Sequence, residues 1–201
     1  MAVGISRLTL LIQTLESAGA DKAVLRRVLD RSGLTQQELS PDARALAYAT
    51  EAKFGREACA ALADLPFGAR AGLTWRISNS LTGYIGKYSK TLRAAIENTG
   101  RFHEIVDPAL KYQLRMAGNF ASFEVIWKDP AYAKFHRHTE FLMFAVLARM
   151  RIITQSQFYP TELRLTHAAR TAARDVQKLA GLPVAVGPGT PERAPPPPAL
   201  A

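Results

Sequence analysis

The stretch YQLRMAGNFASFEVIW, residues 112–127, carries the clearest structural signal in the sequence. Apolar and polar residues alternate from Tyr112 to Met116, which is typical of a half-buried β-strand. Gly118 and Asn119 then form a turn pair. Beyond this pair the alternation resumes, with apolar side chains on one face at Ala121, Phe123, Val125 and Trp127. The stretch therefore predicts a β-hairpin.

Apolar residues at helical spacing dominate the chain before this hairpin. A first helix is predicted over residues 6–18. A second follows the N-cap residue Asp21 and ends at the C-cap residue Gly33. Ser40, which precedes a proline, predicts the start of a third helix that runs to Phe54. The first third of the chain is therefore predicted to be helical.

Four further helical segments are predicted between that helix and the hairpin. They are a short helix over 56–63 that buries Cys59, a segment around Trp75, a helix that begins near Gly83, and a longer helix capped by Ser89. The apolar residues of the last helix form a stripe, as expected for a helix that covers a core.

After the hairpin, the helical period returns over 133–157, with a broad apolar face that includes Ile152. A short strand over 161–167, a helix over 169–180 and a strand at 184–186 complete the pattern. The predicted fold class is α+β. It is predominantly helical, with a small, mainly antiparallel sheet packed against the long helix.

Chain length and composition indicate a single folded domain with a tail. The chain has 201 residues, of which 48% are hydrophobic, enough to bury a full core. We expect a domain over 1–187, with a helical part at 1–65 and an α+β part at 66–187. Residues 188–201 hold six of the twelve prolines and are expected to form a disordered tail that adds little stability.

The charge balance permits, but does not favour, a nucleic-acid partner. The net charge is +9, yet the basic residues are dispersed and no block of five like charges occurs. The segment 32–39 resembles the turn of a helix-turn-helix motif, but Ser40 and the following proline restart the chain where the second helix should continue. We expect no sequence-specific DNA binding by this chain.

Catalytic and metal-binding motifs are not evident. A single cysteine excludes a disulfide scaffold and a cysteine-built zinc site. His136 and Glu140 could share a helix face, but surface histidines near a helix start are the simpler interpretation. Gly83 and Gly86 fit no nucleotide-binding fingerprint and are better explained as small residues between helices. The prediction is a protein that is not an enzyme, with no cofactor and no metal.

The aromatic residues suit either a core or a pocket for an apolar ligand. The hairpin face, the helix near Gly83 and the long helix should converge around such a pocket. We predict that aromatic residues line the pocket. On the helix before the hairpin, Arg101 or His103 should provide a polar contact to the ligand. The predicted ligand-binding residues are Tyr84, Tyr88, Arg101, Phe102, His103, Trp127 and Phe141.

The order of three segments resembles a known family. They are the helical opening 21–33 followed by 41–44, the central run from Phe67-Gly68 through residues 80–96, and the closing run 159–168 followed by a helix and Gly181-Leu-Pro183-Val184. This arrangement is similar to the N-terminal effector-sensing, "arabinose-binding" domain of AraC-type transcriptional regulators. The resemblance covers roughly residues 5–187.

This resemblance implies a cytoplasmic regulatory domain that binds a small effector and forms a homodimer, without a membrane partner. Family members continue into a DNA-binding module with two helix-turn-helix units, whereas this chain ends in prolines. The resemblance therefore implies a sensor that reaches DNA only through a module absent from this chain: a truncated regulator, a frameshifted relic or a stand-alone module. The effector itself stays unidentified. Two alternatives remain, namely a ligand-free module that heterodimerises with full-length regulators and a small hydrolase or metal enzyme.

Overall fold

The structure is a computed structural model, and its described residues form two compact units. The first unit comprises Met1–Tyr159 and the second Pro160–Ala201. The described residues are 7–35, 39, 48–64, 66–76, 81–166 and 170–187. The predicted helix start at Ser40 and the proline-rich tail lie outside them.

The first unit consists of helices and one hairpin. Its helices are α1 (Arg7–Ser17), α2 (Lys22–Ser32), α3 (Tyr48–Leu62), α4 (Phe67–Leu73), α5 (Leu81–Tyr88), α6 (Leu92–Val106) and α7 (His136–Ile153). The hairpin strands are β1 (Leu110–Ala117) and β2 (Phe120–Trp127), and a 3₁₀ turn (Pro130–Lys134) leads into α7.

Helix α2 begins and ends at the residues that the sequence predicts. The Asp21 carboxylate accepts a hydrogen bond from the backbone N–H of Val24 at 2.7 Å, which satisfies a donor of the first turn. Gly33 ends the helix with a left-handed φ of 74°, a conformation that glycine adopts without a steric penalty. Both predicted caps of α2 are confirmed.

Helix α3 is continuous, so the prediction of two separate helices over this region is wrong. Residues 48–62 form one helix, with Gly55 in its interior. A glycine weakens a helix but does not break it, and packing against neighbouring helices outweighs the propensity. Cys59 is buried on α3, as predicted.

Thr91 rather than Ser89 caps α6, which corrects a second prediction. The Thr91 hydroxyl accepts a hydrogen bond from the N–H of Ala94 at 3.1 Å, whereas the Ser89 hydroxyl donates back to the carbonyl of Ile85 at 2.6 Å. Both residues are good N-caps, and the sequence alone does not choose between two candidates two positions apart.

The predicted hairpin is confirmed in type and register. β1 and β2 pair antiparallel, with Tyr112 opposite Val125 and Ala117 opposite Phe120, so two residues form the loop. Gly118, the first of them, has a φ of 58°. A positive φ at this position matches the right-handed twist of the two strands, which is why glycine is favoured there.

The tightest helix contact in this unit lies between α4 and α7. A Cβ atom added at Gly68 would lie 2.1 Å from the carbonyl oxygen of Arg137, and one added at Gly72 would lie 2.4 Å from that of Phe141. The two helix backbones therefore touch, and only glycine fits at these two positions. The adjoining core includes Leu11, Leu15, Phe54, Phe67, Phe141 and Phe144, all fully or almost fully buried.

The long helix is shorter than the predicted range 133–157. It begins at His136 after the 3₁₀ turn and ends at Ile153, where Gln155 and Ser156 adopt positive φ. Ile152 is exposed, although the sequence pattern places it on the buried face. A Cβ at Gly86 would lie 2.8 Å from the Cδ1 atom of Ile153, so this glycine does allow α5 to approach α7, as predicted.

The second unit contains the remaining predicted elements. Strand β3 (Leu163–Leu165) and strand β4 (Val184–Val186) pair in parallel, and α8 (Arg170–Ala180) connects them. The fold class is therefore confirmed as α+β and mostly helical, with an antiparallel hairpin and a separate parallel pair. Of the helices in the described part of the chain, none is long and apolar enough to cross a membrane.

Candidate functional site

Three ionisable side chains from distant parts of the first unit meet beside its core. Arg7 on α1 lies with its Nε atom 3.0 Å from Glu51 Oε1 on α3. Its Nη1 atom donates a hydrogen bond to the Oδ2 atom of Asp107, the residue that follows α6. Both carboxylates are buried, and buried charges of this kind require a partner. Arg7 thus links three helical segments.

Two carboxylates share this single guanidinium, so the group has an excess of negative charge when both carboxylates are ionised. Burial raises the pKa of Glu51 to about 7, against the attraction of Arg7, and Asp107 adds to the rise. Burial alone would lower the pKa of Arg7, but Glu51, Tyr48 and Asp107 raise it above its ordinary value. Arg7 therefore stays charged, while Glu51 can exist in either protonation state near neutral pH.

His138 and Tyr48 complete this group, and their polar atoms have no hydrogen-bond partner among the described residues. The His138 ring on α7 is 2% exposed and meets the Tyr48 ring edge to face at 4.8 Å. Its Nε2 atom lies 3.9 Å from Glu51 Oε2, which is too far for a hydrogen bond. Within the described residues, neither ring nitrogen of His138 nor the Tyr48 hydroxyl has a hydrogen-bond partner. Burial lowers the pKa of His138 well below its usual range, so the ring is neutral.

We call Arg7, Tyr48, Glu51, Asp107 and His138 the polar centre. Unpartnered buried polar groups are rare in folded proteins, because each loses its hydrogen bonds to water without compensation. Several such atoms lie together at the polar centre in the described part of the chain.

Aromatic rings border the polar centre on the side of the hairpin. The ring of Trp127 lies 4.9 Å from that of Tyr48 and 5.6 Å from that of Tyr132. The indole Nε1 of Trp127 donates a hydrogen bond to the Thr139 hydroxyl at 3.3 Å, which ties the end of β2 to α7. The hairpin therefore contacts the long helix at the polar centre.

A second buried histidine lies next to Asp107. His103, on the last turns of α6, stacks on the ring of Tyr112 with 3.9 Å between the ring centres. The side chain is buried, and neither of its nitrogens has a hydrogen-bond partner in the described part of the chain. Burial lowers the pKa of His103 to about 4, against the influence of Asp107, so this ring is also neutral.

The structure brings some of the predicted ligand-binding residues together and places others elsewhere. Trp127 and Phe141 both pack around His138, at 6.2 Å and 5.6 Å between ring centres. His103 lies beside Asp107, one turn before it on the chain. These three predicted residues border the polar centre.

The other predicted residues lie on the surfaces of α5 and α6. Tyr84 and Tyr88 stack on each other at 6.2 Å and are exposed, Tyr88 to 70%. Arg101 is exposed, with its Cζ atom 5.9 Å from the ring centre of Phe102, which is also exposed. The structure does not group these four residues with the polar centre.

The polar centre itself was not predicted from the sequence. The sequence pattern assigned no functional role to Asp107 or His138, and both are buried in the structure. Glu51 occupies a position among the apolar residues of α3, and a charged residue on such a face is the signal that could have drawn attention to it. Tyr48 carries no comparable signal.

The imagined metal pair His136 and Glu140 has a different environment. Glu140 is fully buried, and both its carboxylate oxygens accept hydrogen bonds from Arg137 Nη1, at 2.8 and 3.1 Å. Among the described residues, no three His, Cys, Asp or Glu side chains form a group that could hold a metal ion.

Comparison with known proteins identifies the family of this chain. No curated protein matches the sequence significantly. The family model described as "Arabinose-binding domain of AraC transcription regulator, N-term" matches residues 23–191, which is most of the chain. This family is a regulatory ligand-binding domain and not an enzyme family. The chain belongs to the family of N-terminal arabinose-binding domains of AraC transcription regulators.

Proposed function

We propose that this chain senses a small-molecule effector at the polar centre and that it does so without catalysis. The observation that supports the proposal most strongly is the set of buried atoms on Tyr48 and His138 that have no partner among the described residues, beside an ion group in which two carboxylates share one guanidinium. The family suggests ligand sensing but does not identify the ligand. An effector with hydrogen-bonding groups would satisfy these atoms and offset the free energy that their burial costs.

The position of the polar centre suggests how binding would be transmitted. Its residues come from α1, α3, the end of α6 and α7, so one ligand would contact four helical segments. A ligand that binds one arrangement of these segments better than another shifts the population toward that arrangement. The effector would thereby change how the domain acts on a partner domain.

The remaining parts of the proposal follow from family membership. The domain would act in the cytoplasm as a homodimer, and it would influence DNA through a binding module on another part of a regulator. Its own dispersed charges would support only weak, salt-sensitive contact with DNA.

A second candidate function is a ligand-free interaction module that heterodimerises with full-length regulators. Exposed apolar side chains on α5 and α6 favour it, notably Tyr88 and Ile105, which is 74% exposed. Large apolar side chains at the surface are common at protein interfaces. The two candidates differ in whether a small molecule stabilises the isolated domain.

Fluorescence of Trp127 tests the effector proposal, because this residue borders the polar centre. The measurement uses the Trp75→Phe variant, so that Trp127 is the one remaining tryptophan. A screen of small polar compounds should find molecules that quench Trp127 and raise the melting temperature by mass action. His138→Phe should abolish both effects, while Tyr88→Phe, a matched change on the surface of α5, should leave them intact.

Stability of a second variant separates the two candidates. If the site accommodates a ligand, Trp127→Ala should destabilise the protein by less than the roughly 3–5 kcal/mol that removal of a well-packed core aromatic costs. A loss in that full range, together with a screen in which no compound quenches Trp127, would contradict the effector proposal. The interaction module would then be the better account.

A further inference from the structure

The hydrogen bonds of the hairpin determine which backbone groups of β2 point outward. Lys128, directly after β2, donates its N–H to the carbonyl of Ala109 at 3.0 Å, as residues of a hydrogen-bonded antiparallel pair do. Such pairs alternate along the ladder with pairs that do not bond to each other, and the odd-numbered residues of β2 fall in the second kind. The N–H and C=O groups of Ala121, Phe123 and Val125 therefore point away from β1.

The structure covers the outer edge of β1 but leaves that of β2 without a backbone partner among the described residues. A Cβ atom added at Gly100 on α6 would lie 3.4 Å from the carbonyl oxygen of Tyr112, which points outward from β1 by the same alternation. In the described part of the chain, the sheet consists of β1 and β2, and no further backbone group bonds to the outward groups of β2. The β2 edge is therefore the one open to a further strand.

The residues of β2 do not protect this edge. Edge strands of soluble proteins usually carry lysine, proline or a bulge, which discourages pairing with other chains. The segment Phe120–Trp127 contains no lysine, arginine or proline, and its register with β1 is continuous. Phe120 is 45% exposed, and Ala121 and Ser122 are exposed as well. β2 thus has the properties of a strand that pairs with another chain.

We infer that the β2 strands of two copies of this chain pair antiparallel and form the interface of a homodimer. The inference rests on the homodimer of the proposed function and gives it an interface. A two-fold axis at Phe123 places Ala121 of each copy opposite Val125 of the other, so the outward N–H and C=O groups of all three residues bond across the interface. Because α6 covers the edge of β1, each copy pairs once and assembly stops at two chains.

The side chains of β2 complement one another in this register. Glu124 lies opposite Ser122 of the second copy, and the two Phe123 rings lie side by side. Glu124 Oε1 is 3.1 Å from Arg115 Nε but accepts no hydrogen bond within the described residues, and the Ser122 hydroxyl of the second copy can donate one. An axis at Glu124 would instead place two carboxylates opposite each other, where like charges repel. Charge therefore selects the register centred on Phe123.

Sedimentation of the full chain over a concentration series tests the inference through the dimer dissociation constant. Ser122→Glu should raise this constant roughly three- to tenfold, because each dimer gains two contacts between like charges at Glu124. Ser122→Lys should lower it or leave it unchanged, since lysine then faces the Glu124 carboxylate of the second copy. This reversal of sign at one position is not expected from a loss of folding.

A lysine placed at each strand of the hairpin provides a matched comparison. Ala121→Lys introduces a charge beside the apolar Val125 of the second copy and should raise the dissociation constant by about tenfold or more. Ala117→Lys is an equally exposed change on β1, one strand away from the interface, and should alter the constant by less than about twofold. Equal effects of the two lysines would overturn the inference.

Disulfide formation tests the register directly, in a Cys59→Ala background that removes the one native cysteine. An equal mixture of the Ala121→Cys and Val125→Cys proteins should form linked dimers on mild oxidation, since opposite Cα atoms of a hydrogen-bonded pair are about 5.5 Å apart. Either protein alone should stay unlinked, because its two cysteines are offset by about 13 Å along the strands. Linkage in the single samples, or none in the mixture, would overturn the register.

The outcomes also separate this inference from the proposed function. A dimer that none of the β2 variants affects would leave the proposed homodimer intact and exclude this interface, and growth beyond the dimer would contradict the closed arrangement. A chain that stays monomeric would contradict both and leave the β2 edge to a strand of another protein. Effector sensing would still be tested on its own by the Trp127 screen.

Discussion

Helix α7 takes part in two regions of the molecule that are packed in opposite ways. Toward α4 its backbone touches Gly68 and Gly72, and Phe141 and Phe144 fill the adjoining core. Around His138, by contrast, buried polar atoms remain without partners in the described residues. The first region gains stability from close contact, whereas the second gives up stability at the place where we propose that a ligand binds. The comparison suggests that the two regions respond differently to mutation.

The glycine contact should produce the largest effect. Gly68→Ala and Gly72→Ala should each destabilise the protein by about 4 kcal/mol or more, because the added methyl group meets backbone atoms of α7 and not a movable side chain. Urea unfolding followed by circular dichroism measures this loss.

Gly55→Ala is the matched control. Gly55 lies inside α3, and a Cβ atom there would have no neighbour within 4 Å among the atoms described. This change should leave the protein as stable or stabilise it by about 0.5–1 kcal/mol, since alanine favours helix. Equal losses at Gly72 and Gly55 would mean that the two helices do not pack as described.

The next prediction contrasts two buried rings on α7. Phe144→Ala should destabilise the protein by about 3–5 kcal/mol, because it leaves a cavity in a fully buried position. His138→Phe keeps an aromatic ring and removes two unpartnered nitrogens, so stability should change by less than about 1 kcal/mol or increase. If His138→Phe proves as damaging as Phe144→Ala in the same unfolding experiment, His138 belongs to the structural core.

The pH dependence of stability sharpens the comparison further. The pKa of His103 is about 4 in the folded protein against an ordinary 6.5, so the unfolded chain takes up the proton first. The free energy of unfolding should therefore fall as the pH decreases from 6.5 toward 4, and His103 should account for up to about 3 kcal/mol of this loss. The lowered pKa of His138 acts in the same direction. His103→Phe should flatten this loss when urea midpoints are measured across the pH range.

The contribution of Glu51 to stability has the opposite dependence on pH. Its pKa is raised from 4.5 to about 7, so the folded protein takes up this proton first, and stability contributed by Glu51 increases as the pH falls through that interval. Glu51→Gln should remove this partial compensation and make the acid loss steeper. A shallower loss in Glu51→Gln would mean that the carboxylate remains ionised in the folded state.

Local patterns predicted the elements of this fold well, and long-range pairing explains most of what they missed. The hairpin and the caps of α2 depend on a few adjacent residues, so the sequence specifies them directly. The continuity of α3 depends on its packing against other helices, which outweighs the local preference of Gly55. Thr91 caps α6 in place of Ser89, and the local sequence pattern does not predict this choice, because both residue types are good caps.

The candidate site was predicted less completely for the same reason. Trp127, Phe141 and His103 were predicted to bind the ligand because aromatic and polar residues stand out on amphipathic elements, and they border the polar centre. Arg7 and Asp107 come together from opposite halves of the first unit, and nothing local marks either as a partner of the other.

The glycine contact between α4 and α7 also bears on the order of events during folding. Between these helices the chain forms α5, α6 and the hairpin, so the contact closes a long loop. Closing this loop costs conformational entropy, and that cost arises when the two helices meet. We therefore expect this encounter to limit the refolding rate of the domain, while the hairpin, whose partners are adjacent in sequence, forms and dissolves on a much faster timescale.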